Sequence, residues 1–343
     1  MLGLQRTGFR EISEDNFLGV ILEQSERPKV QSRPLGREQN CMSNLENELV
    51  CVIGGSGFLG SHVADALTAK GYRVRIFDIH DSKWRNPDQE MVVGSILDPE
   101  ALGKAINGCR YVYNFGGLAS LDEGLNDASA AAQLNVLGNI NVLDASLRCK
   151  VERYVFASTV YVYSRAGGFY RCSKQAAEQF IDQYQEIHGL PFTILRYGSL
   201  YGPRCQDSNG LYKIVSRALS EGFVSYTGSP ESMREYIHVR DAAEASVSVL
   251  SAEYANKHVV LTGQEPMKVD DLLKMLAEIL GFSTDVRFLQ EAAVGHYVRT
   301  PYAYVPRAGQ KYLPPLHVDL GQGLLELVAY IAESEKAESN KSA

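Results

Sequence analysis

The sequence contains few cysteines, and they form no recognisable metal or disulfide pattern. Its 343 residues include six cysteines, with no CxxC pair and no histidine at zinc-ligand spacing. We therefore interpret the cysteines as free thiols in a reducing compartment and predict no metal site. The six are Cys41, Cys51, Cys109, Cys149, Cys172 and Cys205.

Long apolar runs and blocks of like charge are also absent. No stretch approaches the roughly 18 apolar residues that span a bilayer, and the amino terminus lacks the basic-then-apolar order of a signal peptide. The net charge of −7 is spread along the chain, and no basic stripe could neutralise a phosphate backbone. These absences predict a cytoplasmic protein that binds neither a membrane nor nucleic acid.

The composition divides the chain into four segments. Residues 1–46 carry scattered charges, two prolines and one short apolar stretch, so we expect a loosely held amino-terminal extension there. The hydrophobic content of 45% is enough for a large core. We expect a first domain over 47–203 and a smaller cap mainly over 204–334, with some segments of the cap returning to the first domain. Residues 335–343 are predicted to be a frayed polar tail.

The first domain shows a regular alternation of short β-branched or aromatic runs and segments of helical period. This alternation predicts a doubly wound parallel α/β sheet of the Rossmann type, followed by a smaller C-terminal α/β cap. The predicted strands are Leu49–Ile53, Arg73–Phe77, Met91–Val93, Tyr111–Asn114, Tyr154–Ala157 and Phe192–Arg196. The predicted helices are Phe58–Lys70, Pro99–Asn107, Ala130–Arg148 and Ser173–His188, with Leu211–Ser220 and Val269–Leu280 in the cap.

A glycine-rich segment lies between the first predicted strand and the first predicted helix. Gly54, Gly57 and Gly60 allow a tight turn there and bring the backbone and the helix amino terminus against a pyrophosphate. Phe58 and Leu59 open the helix within the same segment. This context of strand, turn and helix predicts that the chain binds a dinucleotide cofactor.

Asp78 stands at the end of the second predicted strand, 18 residues beyond Gly60. A carboxylate at this place accepts hydrogen bonds from ribose hydroxyls and repels a 2′-phosphate. We therefore predict NAD as the cofactor. Lys83 and Arg85 nearby leave NADP as the alternative, and a solvated strand-end carboxylate is the alternative role for Asp78.

Tyr170 and Lys174 are four residues apart on a predicted helix, so that they share one face and lie one turn apart. A nearby positive charge favours the phenolate, and the phenol could then exchange a proton with a hydroxyl of the substrate. Such pairs occur on many helices by chance. Their position after the fifth predicted strand is what makes this pair a candidate catalytic site.

The segment Phe156-Ala157-Ser158-Thr159, together with the features above, resembles the extended short-chain dehydrogenases, and especially the nucleotide-sugar epimerases, over about 49–250. The resemblance implies that Thr159 hydrogen-bonds the reacting oxygen and that Tyr170 is the acid/base. It also implies that Lys174 holds the nicotinamide ribose and lowers the pKa of the tyrosine. NAD and a nucleotide-linked sugar are the implied ligands.

Further segments match the same family in order along the chain. Phe115, Gly116 and Gly117 resemble the loop after the fourth strand, where small residues let the backbone approach the cofactor. Asn135 matches an asparagine beside the cofactor, and Gly198 lies in the segment that passes the nicotinamide. Ser199 is implied to line the substrate pocket, and Arg234 to clamp a substrate phosphate.

Three positions depart from the family pattern. Ser95 replaces an aspartate that binds adenine, so that only the backbone of Ile96 is expected to serve there. Ser199 replaces a common asparagine of the pocket. Only 10 residues separate Thr159 from Tyr170, where the relatives have a longer loop, and this predicts a more open substrate mouth.

Acidic residues are missing after Thr159, where Val160 and Tyr161 stand. The sugar dehydratases and decarboxylases of the family have carboxylates near this place. The absence favours an NAD-dependent epimerase that acts through a transient ketone. The alternatives are a reductase or dehydrogenase of a nucleotide-linked sugar and a non-catalytic dinucleotide-binding sensor or scaffold.

The resemblance also implies a homodimer. Members of the family commonly pair through the two helices that correspond to Ala130–Arg148 and Ser173–His188 in this chain. Both segments contain alanine-rich stretches, which permit close approach of helices.

Overall fold

The fold is built on one parallel sheet of eight strands. A computed structural model of the chain describes residues 48–119, 127–284, 286–289, 310–312 and 318–342; the predicted extension over 1–46 lies outside these ranges. The strand order is β14-β11-β6-β5-β4-β1-β2-β3, and every neighbouring pair is parallel. These strands are β1 (Leu49–Ile53), β2 (Arg73–Asp78), β3 (Gln89–Val93), β4 (Tyr111–Asn114), β5 (Arg153–Thr159), β6 (Phe192–Tyr197), β11 (Lys257–Leu261) and β14 (Gln310–Tyr312).

The predicted doubly wound Rossmann sheet is confirmed. The first described strand, β1, lies in the middle of the sheet; the chain then proceeds outward through β2 and β3 and returns to β4 on the other side of β1. The strand order therefore reverses between β1 and β4, and the carboxyl ends of these two strands form the crevice where such folds bind ligands. All five residues of β1 are buried, as the apolar run predicted.

Helices cover both faces of the sheet. On one face, α1 (Phe58–Ala69) and α7 (Val239–Ser248) pack on the sheet through a shared apolar cluster. On the other face, the cluster is formed by α2 (Pro99–Ile106), α4 (Gly138–Arg148) and α5 (Gly168–His188). The structure thus has the three layers expected for strands that are buried on both sides.

The predicted helix Ala130–Arg148 is interrupted. The structure has a short α3 (Ala128–Ala132), a π-helical turn (Gln133–Leu137) and then α4. The wide turn points Asn135 inward, where its side chain makes three hydrogen bonds to the protein. A π turn inserts one residue into the helical repeat, and the pattern of apolar residues alone does not reveal it.

The predicted helix Ser173–His188 begins earlier than expected, at Gly168. Tyr170 therefore lies on the same continuous helix as Lys174, as the four-residue spacing requires. The helix ends at Gly189, whose φ of 71° is the left-handed conformation that glycine adopts at helix ends. The end of the helix was predicted correctly from this glycine.

The remaining elements form a separate apolar cluster after residue 200. Its helices are α6 (Gly210–Glu221), α8 (Val269–Ile279) and α9 (Leu320–Ser342), and its short strands form three pairs. The pairs join β7 (Ser199–Tyr201) to β10 (Tyr236–His238), β8 (Ser225–Thr227) to β13 (Arg287–Leu289) and β9 (Met233–Arg234) to β12 (Met267–Lys268).

The carboxyl-terminal part differs from the expected frayed tail. Helix α9 continues through the polar residues as far as Ser342, because alanine, glutamate and lysine in this stretch are good helix formers. Among the helices of the described ranges, none is long and apolar enough to cross a membrane.

Candidate active site

The glycine turn between β1 and α1 is held by its own backbone. The amide of Gly54 donates to the carbonyl of Phe77 at 2.8 Å, and the amide of Gly57 donates to the carbonyl of Gly54 at 3.2 Å. A Cβ atom on Gly60 would lie 2.2 Å from the carbonyl oxygen of Gly54. Helix α1 can therefore approach the turn this closely only because Gly60 has no side chain.

The same turn contacts the loop after β4. Gly54 has a φ of +75°, and a Cβ atom there would lie 2.7 Å from the amide nitrogen of Gly116 and from the carbonyl carbon of Phe115. The two predicted cofactor segments thus meet backbone to backbone at the carboxyl ends of β1 and β4. Helix α1 starts after Gly57 with no side chain capping its first amides, which leaves room for a phosphate at this end.

Asp78 lies beside the turn at the end of β2. Its carboxylate accepts hydrogen bonds from the amide of Ser56 at 3.0 Å and from the amide of His80 at 3.3 Å. These bonds hold the carboxylate at the edge of the crevice, where the ribose of a dinucleotide would lie. The side chains of Ile79, Val93 and Leu97 are exposed nearby at the ends of β2 and β3, and such an apolar surface suits a flat base.

Ile96, the predicted adenine contact, makes most of its contacts with other residues of the protein. Its carbonyl accepts a hydrogen bond from the side chain of Asn141 at 3.0 Å. Its own side chain is buried against α4, where a Cβ atom on Gly138 would lie 2.6 Å from the Cδ1 atom of Ile96. A role of Ile96 toward the cofactor stays a prediction.

Asn135 holds the loop after β4 in place through hydrogen bonds. Its Oδ1 atom accepts from the amide of Leu118 at 2.8 Å, and its Nδ2 atom donates to the carbonyl of Leu118 at 3.0 Å and to the hydroxyl of Ser173 at 2.9 Å. Gly117, with a φ of +135°, leaves no space for a Cβ atom beside Asn135. The asparagine therefore joins the loop after β4 to the helix that carries the candidate catalytic pair.

The three candidate catalytic residues come together at the end of β5. Thr159 is the last residue of β5, and Tyr170 and Lys174 lie on α5. The hydroxyl of Thr159 accepts a hydrogen bond from the amide of Tyr161 at 3.2 Å and also acts on the phenol of Tyr170. Burial raises the pKa of Tyr170 to about 12, and the hydrogen bond with Thr159 opposes this rise. Thr159 is therefore the side chain that opposes the rise here. The contribution of Lys174, which the four-residue spacing suggested, stays a prediction.

Lys174 is buried beneath the strand. Its ammonium donates to the carbonyl of Ala157 at 2.9 Å and lies 4.7 Å from the ring centroid of Phe156. Burial lowers the pKa of Lys174 to about 8, and the carboxylate of Glu178 acts in the opposite direction. Two hydroxyl groups and one ammonium group are thus available on one side of the crevice.

The predicted substrate residues Ser199 and Arg234 lie on β7 and β9, which belong to different strand pairs of the cap. The amide of Gly198 donates to the carbonyl of Leu261 at 2.9 Å, and the amide of Ser199 donates to the carbonyl of Glu235 at 3.2 Å. Arg234 is buried on β9, directly before Glu235. The fold therefore brings the segment of Ser199 next to the segment of Arg234. The roles of both residues toward a substrate stay predictions.

Two charged residues near the site were missed by reasoning from the sequence. Glu178 and Arg196 form a buried ion pair, with Nη2 of the arginine 2.6 Å from Oε2 of the glutamate. Glu178 follows Lys174 by four residues, so the helical period could have placed it on the same face. Arg196 lies in an apolar strand, and a buried charge there was a signal for a partner.

Comparisons with known proteins agree with this geometry. The model of the "NAD dependent epimerase/dehydratase family" matches residues 50–262. The chain is 25% identical over 311 residues to a putative UDP-glucose 4-epimerase of Methanocaldococcus jannaschii, covering 84% of this chain and all of that protein. It is 28% identical over 247 residues to a UDP-N-acetyl-alpha-D-glucosaminuronate decarboxylase of Bacillus cytotoxicus, covering 64% of this chain and 76% of that protein.

A solved structure shares the fold. The UDP-glucose 4-epimerase of Thermotoga maritima superposes with a TM-score of 0.73 at 24% identity, covering 84% of this chain and 99% of that chain. The family match confirms the predicted resemblance and the prediction of NAD as the cofactor. The chain belongs to the NAD dependent epimerase/dehydratase family.

Proposed function

We propose that the protein epimerises a nucleotide-linked sugar through a transient ketone. The observation that carries this proposal is that Thr159, the last residue of β5, acts on the phenol of Tyr170, with Lys174 one turn further along α5. Two adjacent hydroxyl groups can hold one substrate oxygen and exchange its proton. NAD, bound against the glycine turn, supplies the acceptor and donor of the hydride.

The proton chemistry follows from the surroundings of Tyr170. The phenol is protonated at neutral pH, and burial raises its pKa further, to about 12; a protonated phenol suits the step in which a ketone is reduced and needs a proton. The hydrogen bond with Thr159 stabilises the phenolate, which suits the step in which a hydroxyl is oxidised and loses its proton. Thr159 also holds the reacting oxygen while its charge changes. An epimerase needs both steps at one carbon.

The surroundings of Thr159 disfavour the other reactions of the family. Val160 is buried, and the ring of Tyr161 packs edge-on against Tyr170 with centroids 6.5 Å apart. No carboxylate stands at either position, so the pair does not supply the additional acid/base group that elimination of water requires. Simple oxidation and reduction of one carbon is the chemistry that remains.

The homodimer is part of the same proposal. Leu137, on the π turn, and Phe180 and Ile187, on α5, are exposed apolar side chains. Exposed apolar residues on two neighbouring helices suit a self-complementary contact. Cytoplasmic localisation is likewise proposed, from the composition of the chain. Light scattering of the protein and of an Ile187→Lys variant tests the dimer, which the lysine should weaken.

The activity is tested by incubating the purified protein with UDP-, GDP-, dTDP- and CDP-sugars and analysing the products by NMR. An epimerase interconverts two isomers of the same mass without added NADH, and Tyr170→Phe abolishes the conversion. A product two mass units heavier or lighter that forms only with added NADH or NAD would instead identify a reductase or dehydrogenase. No conversion in any reaction, with NAD bound, would support a non-catalytic protein.

A further inference from the structure

A cluster of charged and polar side chains is buried directly behind the candidate catalytic residues. Its centre is the ion pair of Glu178 and Arg196, whose exposed fractions are only 3% each. The guanidinium contacts both carboxylate oxygens, with Nε donating to Oε1 at 3.0 Å and Nη2 donating to Oε2 at 2.6 Å. Neither residue is needed as the acid/base of the proposed reaction.

The cluster is connected to all three segments that carry the site. The hydroxyl of Ser158, which precedes Thr159, donates to Oε1 of Glu178. Glu178 itself lies one helical turn after Lys174 on α5. Nη1 of Arg196 donates to the phenol oxygen of Tyr163 at 2.5 Å. Tyr163 ends the short 3₁₀ helix Val160–Tyr163, which follows Thr159 directly.

His258, on β11, completes the cluster at its outer side. Its Nδ1 atom lies 2.8 Å from Nη2 of Arg196, and its Nε2 atom lies 3.1 Å from Oδ1 of Asp182. Nδ1 also lies 3.7 Å from Oε2 of Glu178. Burial lowers the pKa of His258, but the carboxylates of Asp182 and Glu178 outweigh burial and raise it. The histidine therefore bridges Arg196 and Asp182 and helps to orient the guanidinium.

Packing alone does not hold the 3₁₀ helix on this side. A cavity of about 240 Å³ lies between this helix and α5, and Val162, Tyr163, Gln175, Glu178 and Arg196 are among its lining residues. On this side, the hydrogen bond from Arg196 to Tyr163 ties the 3₁₀ helix to the sheet. It acts together with the apolar contact of Val160 and Val260 and with the hydrogen bond from Gln175 to the carbonyl of Val162 at 2.7 Å.

The energetics argue against a role in stability alone. Burying two charges costs solvation that their attraction barely repays, and an apolar pair of similar size often stabilises a protein equally well. An ion pair of this kind is better explained by the geometry that it imposes. Its carboxylate also favours the charged form of Lys174, which burial disfavours.

We propose that Glu178 and Arg196 are positioning residues: their buried ion pair fixes the end of β5, the 3₁₀ helix and the start of α5 so that Thr159, Tyr170 and Lys174 meet. The effect on catalysis rests on the proposed function, whereas the effect on the geometry of Tyr170 does not. The two effects can therefore be measured separately.

The test replaces the ion pair by an apolar pair in the double variant Glu178→Leu/Arg196→Met, and removes single ties in Ser158→Ala and Tyr163→Phe. Tyr184→Phe is the matched control, because Tyr184 lies on the same helix and donates to Asp144 at 2.7 Å outside the cluster. Circular dichroism and NAD binding establish that each variant is folded. The environment of Tyr170 is followed by NMR of ¹³C-labelled tyrosine, with its signal assigned by Tyr170→Phe.

We expect the double variant to fold and bind NAD, to shift the Tyr170 signal, and to lower kcat at least about 30-fold with KM changed by less than about 3-fold. Ser158→Ala and Tyr163→Phe should lower kcat about 3- to 10-fold, and Tyr184→Phe less than 2-fold. An unchanged Tyr170 signal in the folded double variant would overturn the proposal. If the double variant does not fold, unchanged Tyr170 signals in both single variants would do so.

If the unmutated protein converts no nucleotide sugar, the Tyr170 signal still tests whether Glu178 and Arg196 fix the position of Tyr170. A shifted signal in the variants then supports the positioning role, while the absence of turnover contradicts the proposed function. A shifted signal with normal kcat in every variant of an active protein would contradict the positioning role in catalysis.

Discussion

The glycine turn and the catalytic end of β5 are built in opposite ways. The turn is made of backbone: Gly54 and Gly60 lie within seven residues of each other, and their fit depends on the lack of side chains. The end of β5 is made of side chains from distant parts of the chain, since Glu178 contacts both Ser158 and Arg196. A site made of backbone atoms can be recognised from a short sequence motif. A site made of buried side chains from distant parts of the chain can be recognised only from the folded structure.

The largest effect on cofactor binding and stability together is expected from Gly60→Ala. A Cβ atom 2.2 Å from the carbonyl of Gly54 must displace the turn or α1, so NAD binding should fall at least about 100-fold, and stability by about 1–3 kcal/mol. Calorimetric NAD titration and thermal unfolding measure both. Gly103→Ala is the matched control, because Gly103 also lies in a helix and a Cβ atom there meets nothing within 4 Å. Normal NAD binding by Gly60→Ala would contradict the backbone account.

The next largest effect concerns the catalytic end. Tyr170→Phe removes only the phenol oxygen, so NAD affinity should stay within about 2-fold while turnover falls about 10²- to 10⁴-fold. Thr159→Val should lose less, because it keeps the proton carrier. Lys174→Met should weaken NAD binding as well as turnover. Steady-state kinetics and NAD titration of the three variants test this order, and near-normal turnover by Tyr170→Phe would contradict the assignment.

A smaller effect is expected at His62, where α1 contacts a distant part of the chain. His62, on α1, lies with Nε2 3.0 Å from the carbonyl of Pro203, and burial lowers its pKa to about 4. Below its unfolded pKa of about 6.5, the unfolded chain binds a proton that the folded chain does not. His62 should therefore destabilise the fold progressively as the pH falls from about 6.5 to 4, by up to about 3 kcal/mol.

This pH dependence is checked by urea unfolding between pH 4.5 and 7.5. His62→Gln keeps a donor for the carbonyl of Pro203 but has no proton to gain, so its stability should fall less at low pH than that of the unmutated protein. Parallel curves for the two proteins would show that His62 does not titrate as the structure implies.

The smallest effect is expected at Asp78, whose carboxylate accepts hydrogen bonds from the amide of Ser56 in the turn and from the amide of His80. Asp78→Ala removes the carboxylate that repels a 2′-phosphate, so the preference for NAD over NADP should narrow by roughly 10-fold, about 1.4 kcal/mol. Binding titrations with both cofactors measure the ratio. Asp88→Ala, on the same β2 to β3 connection but bonded through its amide to Asn86, serves as the control. An unchanged ratio of NAD to NADP affinity in Asp78→Ala would show that Asp78 has only a structural role.

The sequence by itself determined six of the eight described strands of the sheet, the glycine turn and the helical spacing of the candidate catalytic pair, but not β11 and β14. The six predicted strands lie in the sheet because buried parallel strands read as apolar runs, although β3 starts two residues earlier than predicted. Gly54, Gly57 and Gly60 could be recognised because a tight turn followed by a helix has local requirements. Tyr170 and Lys174 could be paired because helical spacing is also a local property.

Only the tertiary structure decided what supports these residues. The π turn that points Asn135 into the protein, and the hydrogen bond of Thr159 that acts on Tyr170, depend on elements that meet only in the folded chain. The same holds for Glu178 and Arg196, which come from a helix and a strand. A short motif records the spacing along the chain, but the energy of a buried charge is set by all the groups that surround it in space.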